Sequence, residues 1–186
     1  MPAPHLPKIT ICGVHELDEL AAAGVSHALS ILDPGTPDPA PFRRFGAVTR
    51  ERMHFHDETA AHDGDNAPQV HNIETILAFG DRLHAHGEVP HLLVHCFMGL
   101  SRSTAATAIL LAQHVKGRED EVFDRIFQVR PRSWPNARMI ALADTMLNRQ
   151  GALFSALKDH HRRVLTADPA IVPMLHGWGR SSRPGE

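Results

Sequence analysis

Cysteine is scarce in this chain, and long apolar segments are missing. The 186 residues include only Cys12 and Cys96 as cysteines, which are too few for a disulfide framework. The first residues lack the basic region and apolar run of a secretory signal. The longest apolar stretch, residues 104–112, is far short of the roughly 20 residues that cross a membrane. We therefore expect a soluble protein in a reducing, cytoplasmic setting.

An excess of charge of one sign is also missing. Lysine and arginine number 19, aspartate and glutamate number 21, and the formal net charge is −2 with histidine neutral. Nucleic acids and anionic membranes are usually bound through a basic patch. We expect neither nucleic acid nor a membrane as a partner.

Histidine, in contrast, is abundant, with fifteen residues. Two histidines on a helix can share a metal ion when they are three or four residues apart. His84 and His86 do not have that spacing, although His54 and His56 would share one face of a strand. We expect no metal ion and no other cofactor.

Strand-like and helix-like segments alternate along the chain. Short β-rich or apolar runs cover residues 8–14, 25–32, 52–57 and 91–96. Helical periodicity or composition covers residues 15–23, 70–87, 103–115, 119–129, 136–149 and 152–161. This interleaving predicts an α/β fold whose functional site lies at the carboxyl edge of the sheet.

The length of the chain fits one domain, which we place at residues 1–165. The four prolines in residues 33–41 indicate a loop, because proline disrupts both helices and strand ladders. Residues 166–186 contain three prolines and three glycines and are predicted to be a weakly ordered tail.

One segment combines residues that are suited to catalysis, namely His95-Cys96-Phe97-Met98-Gly99-Leu100-Ser101-Arg102-Ser103. It follows an apolar strand and opens a helix, so successive backbone N–H groups lack intrahelical partners and point inward. Gly99 permits a tight turn, and the helix start adds the positive end of its dipole. The loop should therefore cradle a tetrahedral dianion such as phosphate. The residues of this cradle are Phe97, Met98, Gly99, Leu100, Ser101 and Arg102.

Three side chains of the segment suit phosphoryl chemistry. The field that attracts a dianion also stabilises a thiolate on Cys96, and a thiolate is a competent nucleophile. Arg102 offers a planar fork for two phosphoryl oxygens, and its grip should tighten as charge spreads over them. The hydroxyl of Ser103 can donate to Cys96 and help the thiolate leave.

The pattern His95-Cys96, five residues, then Arg102-Ser103 resembles the signature of the cysteine-dependent protein tyrosine and dual-specificity phosphatases. The wider chain is similar to small predicted bacterial tyrosine phosphatases over about residues 9–147. The resemblance implies a single-domain, three-layer phosphotyrosine-phosphatase-like fold, with a central, mostly parallel sheet of about four to five strands flanked by helices. It also implies hydrolysis of phosphomonoesters, above all phosphotyrosine on a protein or peptide, through a phosphocysteine intermediate.

The resemblance further implies an aspartate upstream of the loop that protonates the leaving group. Asp57, Asp63 and Asp65 lie in the relevant window, and spacing alone does not choose among them. We favour Asp57 because it directly follows the strand-like run that ends at His56, at the sheet edge where the site should lie. His95 is interpreted as a structural residue that positions the loop.

Two other functions remain open on the sequence. A phosphoresidue-binding module would keep the cradle without turnover, and a phosphatase could act on a non-protein phosphomonoester such as an inositol lipid. Residues 97–101 contain no lysine to hold additional phosphates, which argues against the lipid. Cys12 could form a disulfide with Cys96, but a buried free thiol is the preferred interpretation.

Overall fold

A parallel β-sheet lies at the centre of the computed structural model, which describes residues 8–60, 66–85 and 91–186. Its strands are β1 (Lys8–Gly13), β2 (His27–Leu32), β3 (Thr49–His54) and β4 (His91–Cys96). They are arranged in the order β1-β4-β2-β3, and every neighbouring pair is parallel. All six residues of β4 are buried, because a strand inside a parallel sheet is covered on both faces.

Helices and short 3₁₀ turns pack on this sheet. The helices are α1 (Leu17–Leu20), α2 (Val70–Ala85), α3 (Arg102–Ala112), α4 (Glu119–Val129), α5 (Ala137–Met146), α6 (Ala152–Ala167) and α7 (Ile171–Gly177). The predicted α/β fold with a mostly parallel sheet of about four to five strands is confirmed. No helix in the described parts of the chain is both long and apolar enough to cross a membrane.

The side chains of the strands separate the core into two layers. On one face of the sheet, Ile11, Ile31 and Val94 belong to a large apolar cluster with α2 to α6. On the other face, Ala28 and Leu93 join a smaller cluster with α1 and the 3₁₀ turn Ala40–Arg44. The alternation follows from the two-residue period of a strand, and it gives the expected three layers.

Helix α3 is the most deeply buried helix, with all eleven of its residues buried. Its threonine hydroxyls form hydrogen bonds with nearby carbonyl groups. Thr104 donates to the Leu100 carbonyl at 2.7 Å, and Thr107 donates to the Ser103 carbonyl at 2.8 Å. A buried hydroxyl without such a partner would cost about 1 to 3 kcal/mol. The helix begins six residues after β4 ends and packs against that strand.

The segment predicted to be a weakly ordered tail, residues 166–186, has a different structure. It contains the end of α6 and all of α7, whose Ile171 and Leu175 are buried against Trp134 and Val164. Pro173 lies in the first turn of α7, where its missing N–H removes no helical hydrogen bond. Apolar contacts with the rest of the molecule therefore outweigh the helix-breaking composition.

Candidate active site

Gly99 shapes the loop between β4 and α3. Its φ is +72°, a backbone conformation that residues other than glycine rarely adopt. A Cβ at this position would also lie 2.4 Å from the carbonyl carbon of Cys12 and 2.5 Å from the amide nitrogen of Gly13. The loop passes close over the end of β1, where the Val14 N–H donates to the Phe97 carbonyl at 3.0 Å. Glycine is thus required here both for conformation and for space.

Cys96 lies at the end of β4, with its sulfur at the base of this loop. Its Sγ accepts the Gly99 N–H at 3.3 Å and lies 3.2 Å from the Ser103 hydroxyl oxygen. The Gly99 N–H is a donor, and the Ser103 hydroxyl is a second group able to donate to the sulfur. The side chain of Ser103 therefore has the position needed to assist a thiolate leaving group.

Arg102 begins α3 and is almost wholly buried. Its Nη1 donates to the Phe55 carbonyl at 2.5 Å and to Asp33 Oδ1 at 2.8 Å. Its Nε–H is buried and has no hydrogen-bond partner within the described residues. A buried unpaired donor is unfavourable by about 1 to 3 kcal/mol, and an oxyanion bound to this N–H would remove that cost.

Asp57 lies on the segment after β3, and its carboxylate reaches the same site. Asp57 Oδ1 accepts hydrogen bonds at 2.8 Å from the Ser101 hydroxyl and from the side-chain amide of Asn136, and it forms an ion pair with Arg180. Burial opposes the charge of Asp57, but Arg180 and Arg102 outweigh it and hold the pKa of the carboxyl below its ordinary value.

The other two candidate acids, Asp63 and Asp65, lie outside the residues that the structure describes. Asp57 is therefore the candidate for which a position is known. It faces a pocket of about 450 Å³ together with Cys96 and Arg102. The apolar residues lining this pocket are Phe97, Met98, Leu100, Trp134, Leu175 and Trp178.

His95 lies in β4 with its ring buried beside Phe42. Its Nε2 is 2.7 Å from the hydroxyl oxygen of Ser30 on the neighbouring strand. Burial lowers the pKa of His95 to about 4, so the ring is neutral at physiological pH. This neutral, buried position is consistent with a structural role beneath the loop.

Cys12, the second cysteine, is buried and carries a free thiol, as does Cys96. Burial, followed by the nearby charge of Glu16, raises the pKa of Cys12 to about 12. Cys12 belongs to the smaller apolar cluster with Leu17 and Leu93. Its surroundings are those of a core thiol.

Two histidines of α6 pack behind the loop that carries Asn136. His160 Nε2 lies 2.9 Å from the Ser133 hydroxyl oxygen, and the His161 ring stacks on Trp134 at 3.8 Å between ring centres. Burial lowers the pKa of His160 to about 4 and that of His161 to about 3. Neutral rings thus pack behind a loop that lines the site.

Within the described ranges, no group of three or more His, Cys, Asp or Glu side chains is placed to hold a metal ion.

Sequence reasoning missed Asp33, Asn136, Trp178 and Arg180 as site residues. Asn136 lies within the range of the resemblance, residues 9–147, and it also caps α5 by accepting the Met139 N–H at 3.0 Å. Asp33 follows β2, the neighbour of β4, and the shared carboxyl edge of parallel strands was a usable signal. Nothing in the sequence indicated Trp178 or Arg180, because residues after Asp168 showed no strong periodicity.

Solved structures of other proteins share the fold of this chain. The sequence matches no protein-family model and no curated protein. The structure of human DUSP28 shares 20% sequence identity with the chain, with a TM-score of 0.57, covering 78% of this chain and 95% of that one. PTPMT1 in complex with PI(5)P shares 15% identity, with a TM-score of 0.54 and coverage of 78% and 95%. A human tyrosine phosphatase-like serine/threonine/tyrosine-interacting protein shares 18% identity, with a TM-score of 0.57 and coverage of 79% and 95%. The chain thus has the fold of the dual-specificity and tyrosine phosphatases.

Proposed function

We propose that the chain hydrolyses phosphomonoesters, above all protein phosphotyrosine, through a phosphocysteine intermediate on Cys96. The proposal rests on one arrangement: the Cys96 sulfur lies at the base of a strand-to-helix loop, with Arg102 and Asp57 facing the same pocket. Arg102 supplies the cation, and Asp57 supplies the carboxyl group.

In the first step, the thiolate of Cys96 attacks phosphorus. A P–S bond forms, the ester P–O bond breaks, and Asp57 in its protonated form gives its proton to the leaving oxygen. Arg102 has a free Nε–H for the equatorial oxygens, whose charge rises in the transition state. The dephosphorylated alcohol or phenol then leaves, and Asp57 is a carboxylate.

In the second step, water replaces the thiolate. The Asp57 carboxylate takes a proton from the water as it attacks phosphorus, and the P–S bond breaks. The Ser103 hydroxyl, 3.2 Å from the sulfur, stabilises the returning thiolate. Inorganic phosphate is released, and Asp57 again holds the proton for the next cycle.

The walls of the pocket favour an aromatic substrate. Phe97, Trp134 and Trp178 line the pocket that contains Cys96, and flat apolar walls suit the ring of phosphotyrosine. PTPMT1 was crystallised with PI(5)P, so a phosphoinositide is the second candidate substrate. Residues 97–101 lack lysine and arginine for additional phosphates, which favours the peptide.

The proposed function is tested by turnover in the presence of a metal chelator. We expect the purified chain to release phosphate from a phosphotyrosine peptide faster than from PI(5)P vesicles. Rapid quenching in denaturant with ³²P-labelled substrate should trap label on the protein, because unfolding stops the hydrolysis of the phosphocysteine by the site. A peptide that binds but remains phosphorylated for hours would show a phosphoresidue-binding module instead.

The choice of acid is tested by replacing each candidate aspartate with asparagine. Asp57→Asn should lower kcat for a phosphotyrosine peptide by roughly 10²- to 10⁴-fold, the usual contribution of a positioned acid. Asp63→Asn and Asp65→Asn are matched controls, and each should stay within a fewfold of the wild type. A large loss in either control, with Asp57→Asn active, would move the role of the acid to that residue.

A further inference from the structure

The segment after α6 is fixed to the rest of the molecule at several points. At its start, Arg132 Nε forms an ion pair at 2.6 Å with Asp168. In its middle, Leu175 of α7 is buried. Near its end, the Gly185 N–H donates to His161 Nδ1 at 3.1 Å. The chain that follows α7 is therefore held against the domain.

The end of α7 turns the chain toward the site. Gly179 has a φ of +66°, its N–H donates to the His176 carbonyl at 3.0 Å, and the Arg180 N–H donates to the Leu175 carbonyl at 2.8 Å. These two bonds and the left-handed glycine form a Schellman motif. The turn places Trp178 and Arg180 on the pocket that contains Cys96.

Arg180 reaches the carboxyl group proposed as the acid. Its Nη2 forms an ion pair with Asp57 Oδ1 and donates to the Ser101 hydroxyl oxygen at 2.6 Å. Ser101 in turn donates to the same Oδ1 atom. The Arg180 side chain is only 11% exposed, so the guanidinium has left most of its water to make these contacts.

We infer that Arg180 is a positioning residue for Asp57, which makes the segment after α6 part of the active site. This inference rests on the proposed function, in which Asp57 is the proton donor. Arg180, Ser101 and Asn136 all direct their donors to Oδ1. A proton on the carboxyl group must then be carried by Oδ2, which fixes which oxygen serves the leaving group.

Other charges also act on Asp57. Arg102 on α3 is the second cation that faces it, and Arg102 is itself paired with Asp33 after β2. His56 and Glu58, on the segment that carries Asp57, line the same pocket. The phosphoryl group of a substrate adds negative charge beside Asp57 and favours its protonation. The role that we infer for Arg180 is to keep the Asp57 carboxyl group in the same position whether it is charged or protonated.

The test compares aryl phosphates that differ in how much they need the acid. Phenyl phosphate needs a proton on its leaving oxygen, whereas the 4-nitrophenyl group leaves readily without one. At the maximum of each pH profile, Arg180→Met should lower kcat/KM about tenfold more for phenyl phosphate than for 4-nitrophenyl phosphate. In an Asp57→Asn background, Arg180→Met should produce no such difference between the two substrates.

The pH profile gives a second readout. Arg180→Met removes a cation that stabilises the carboxylate, so the pKa of Asp57 should rise. The alkaline limb of kcat/KM, above which the acid is deprotonated, should then move to higher pH. Arg180→Lys keeps the charge and should leave the limb nearer to that of the wild type.

Arg183→Met is the matched control. Arg183 lies in the same segment, is 81% exposed and pairs with Glu186, so its replacement should change neither readout. Equal losses on both substrates with an unmoved limb would overturn the inference, as would an Arg180→Met variant that is faster on phenyl phosphate. If Arg180→Met does not fold, Arg180→Lys must still lose more on phenyl phosphate. A wild type without turnover would overturn the proposed function itself.

Discussion

Replacing Cys96 with serine is expected to abolish hydrolysis of aryl phosphates, with a loss of roughly 10⁵-fold or more in kcat. A serine hydroxyl is not ionised near neutral pH, so the variant lacks the nucleophile that the first step needs. The fold and the cradle should persist, because the sulfur is replaced by a smaller group that can still accept the Gly99 N–H. The variant should therefore still bind a phosphotyrosine peptide, which calorimetry can measure.

Cys12→Ser is the control for this result. Cys12 is the other free thiol, and it lies in the apolar cluster beneath α1. Its replacement should reduce stability somewhat and leave kcat within a fewfold of the wild type. Turnover that survives in Cys96→Ser, or wild-type turnover that disappears with a chelator, would contradict a metal-free thiol mechanism.

Arg102→Lys is expected to lower kcat by roughly 10³-fold, although the charge is conserved. The ammonium group is a point charge on a flexible stem and cannot reproduce the planar fork of a guanidinium. Arg102 holds the Phe55 carbonyl and Asp33 with Nη1, which leaves Nε for the phosphoryl group. A lysine cannot make these contacts at once.

Steady-state kinetics and inhibition by inorganic phosphate measure this effect. Phosphate should inhibit Arg102→Lys more weakly than it inhibits the wild type, because the cradle has lost a donor. Arg163→Lys is the control, since Arg163 pairs with Asp124 on the surface far along α6. A kcat for Arg102→Lys equal to that of the control would show that the fork has no role in the transition state.

The fold and the centre of the site could be predicted because their signals are local. Residues 91–96 form one apolar run that ends at Cys96, and Gly99 and Arg102 follow it within six residues. A buried parallel strand and the helix start after it both leave such a pattern in a short window. The same reasoning could name Asp57 as a candidate because it comes soon after a strand.

Asp33 and Arg180 were missed because their partners are distant in the sequence, although the position of Asp33 after β2 was a usable signal. Arg102 lies 69 positions after Asp33, and Arg180 lies 79 positions after Ser101. Helix α7 has only seven residues, and a helix of that length is stable only through tertiary contacts. Its composition therefore suggested a weakly ordered tail, while the contacts that stabilise it became visible only in the folded chain.

The buried histidines near the site set an acid limit on the folded state. Burial lowers the pKa values of His95, His160 and His161 to about 4, 4 and 3, from an ordinary value of 6.5. Below pH 6.5 these histidines bind protons in the unfolded chain but stay neutral in the folded chain. The free energy of unfolding therefore falls as pH falls from 6.5 toward 4. The pKa of Asp57 is held below its ordinary value of 3.8, so the carboxyl group of the free chain takes up its proton only at a still lower pH. A fall in pH large enough to protonate Asp57, the proposed acid, would thus first destabilise the fold around it.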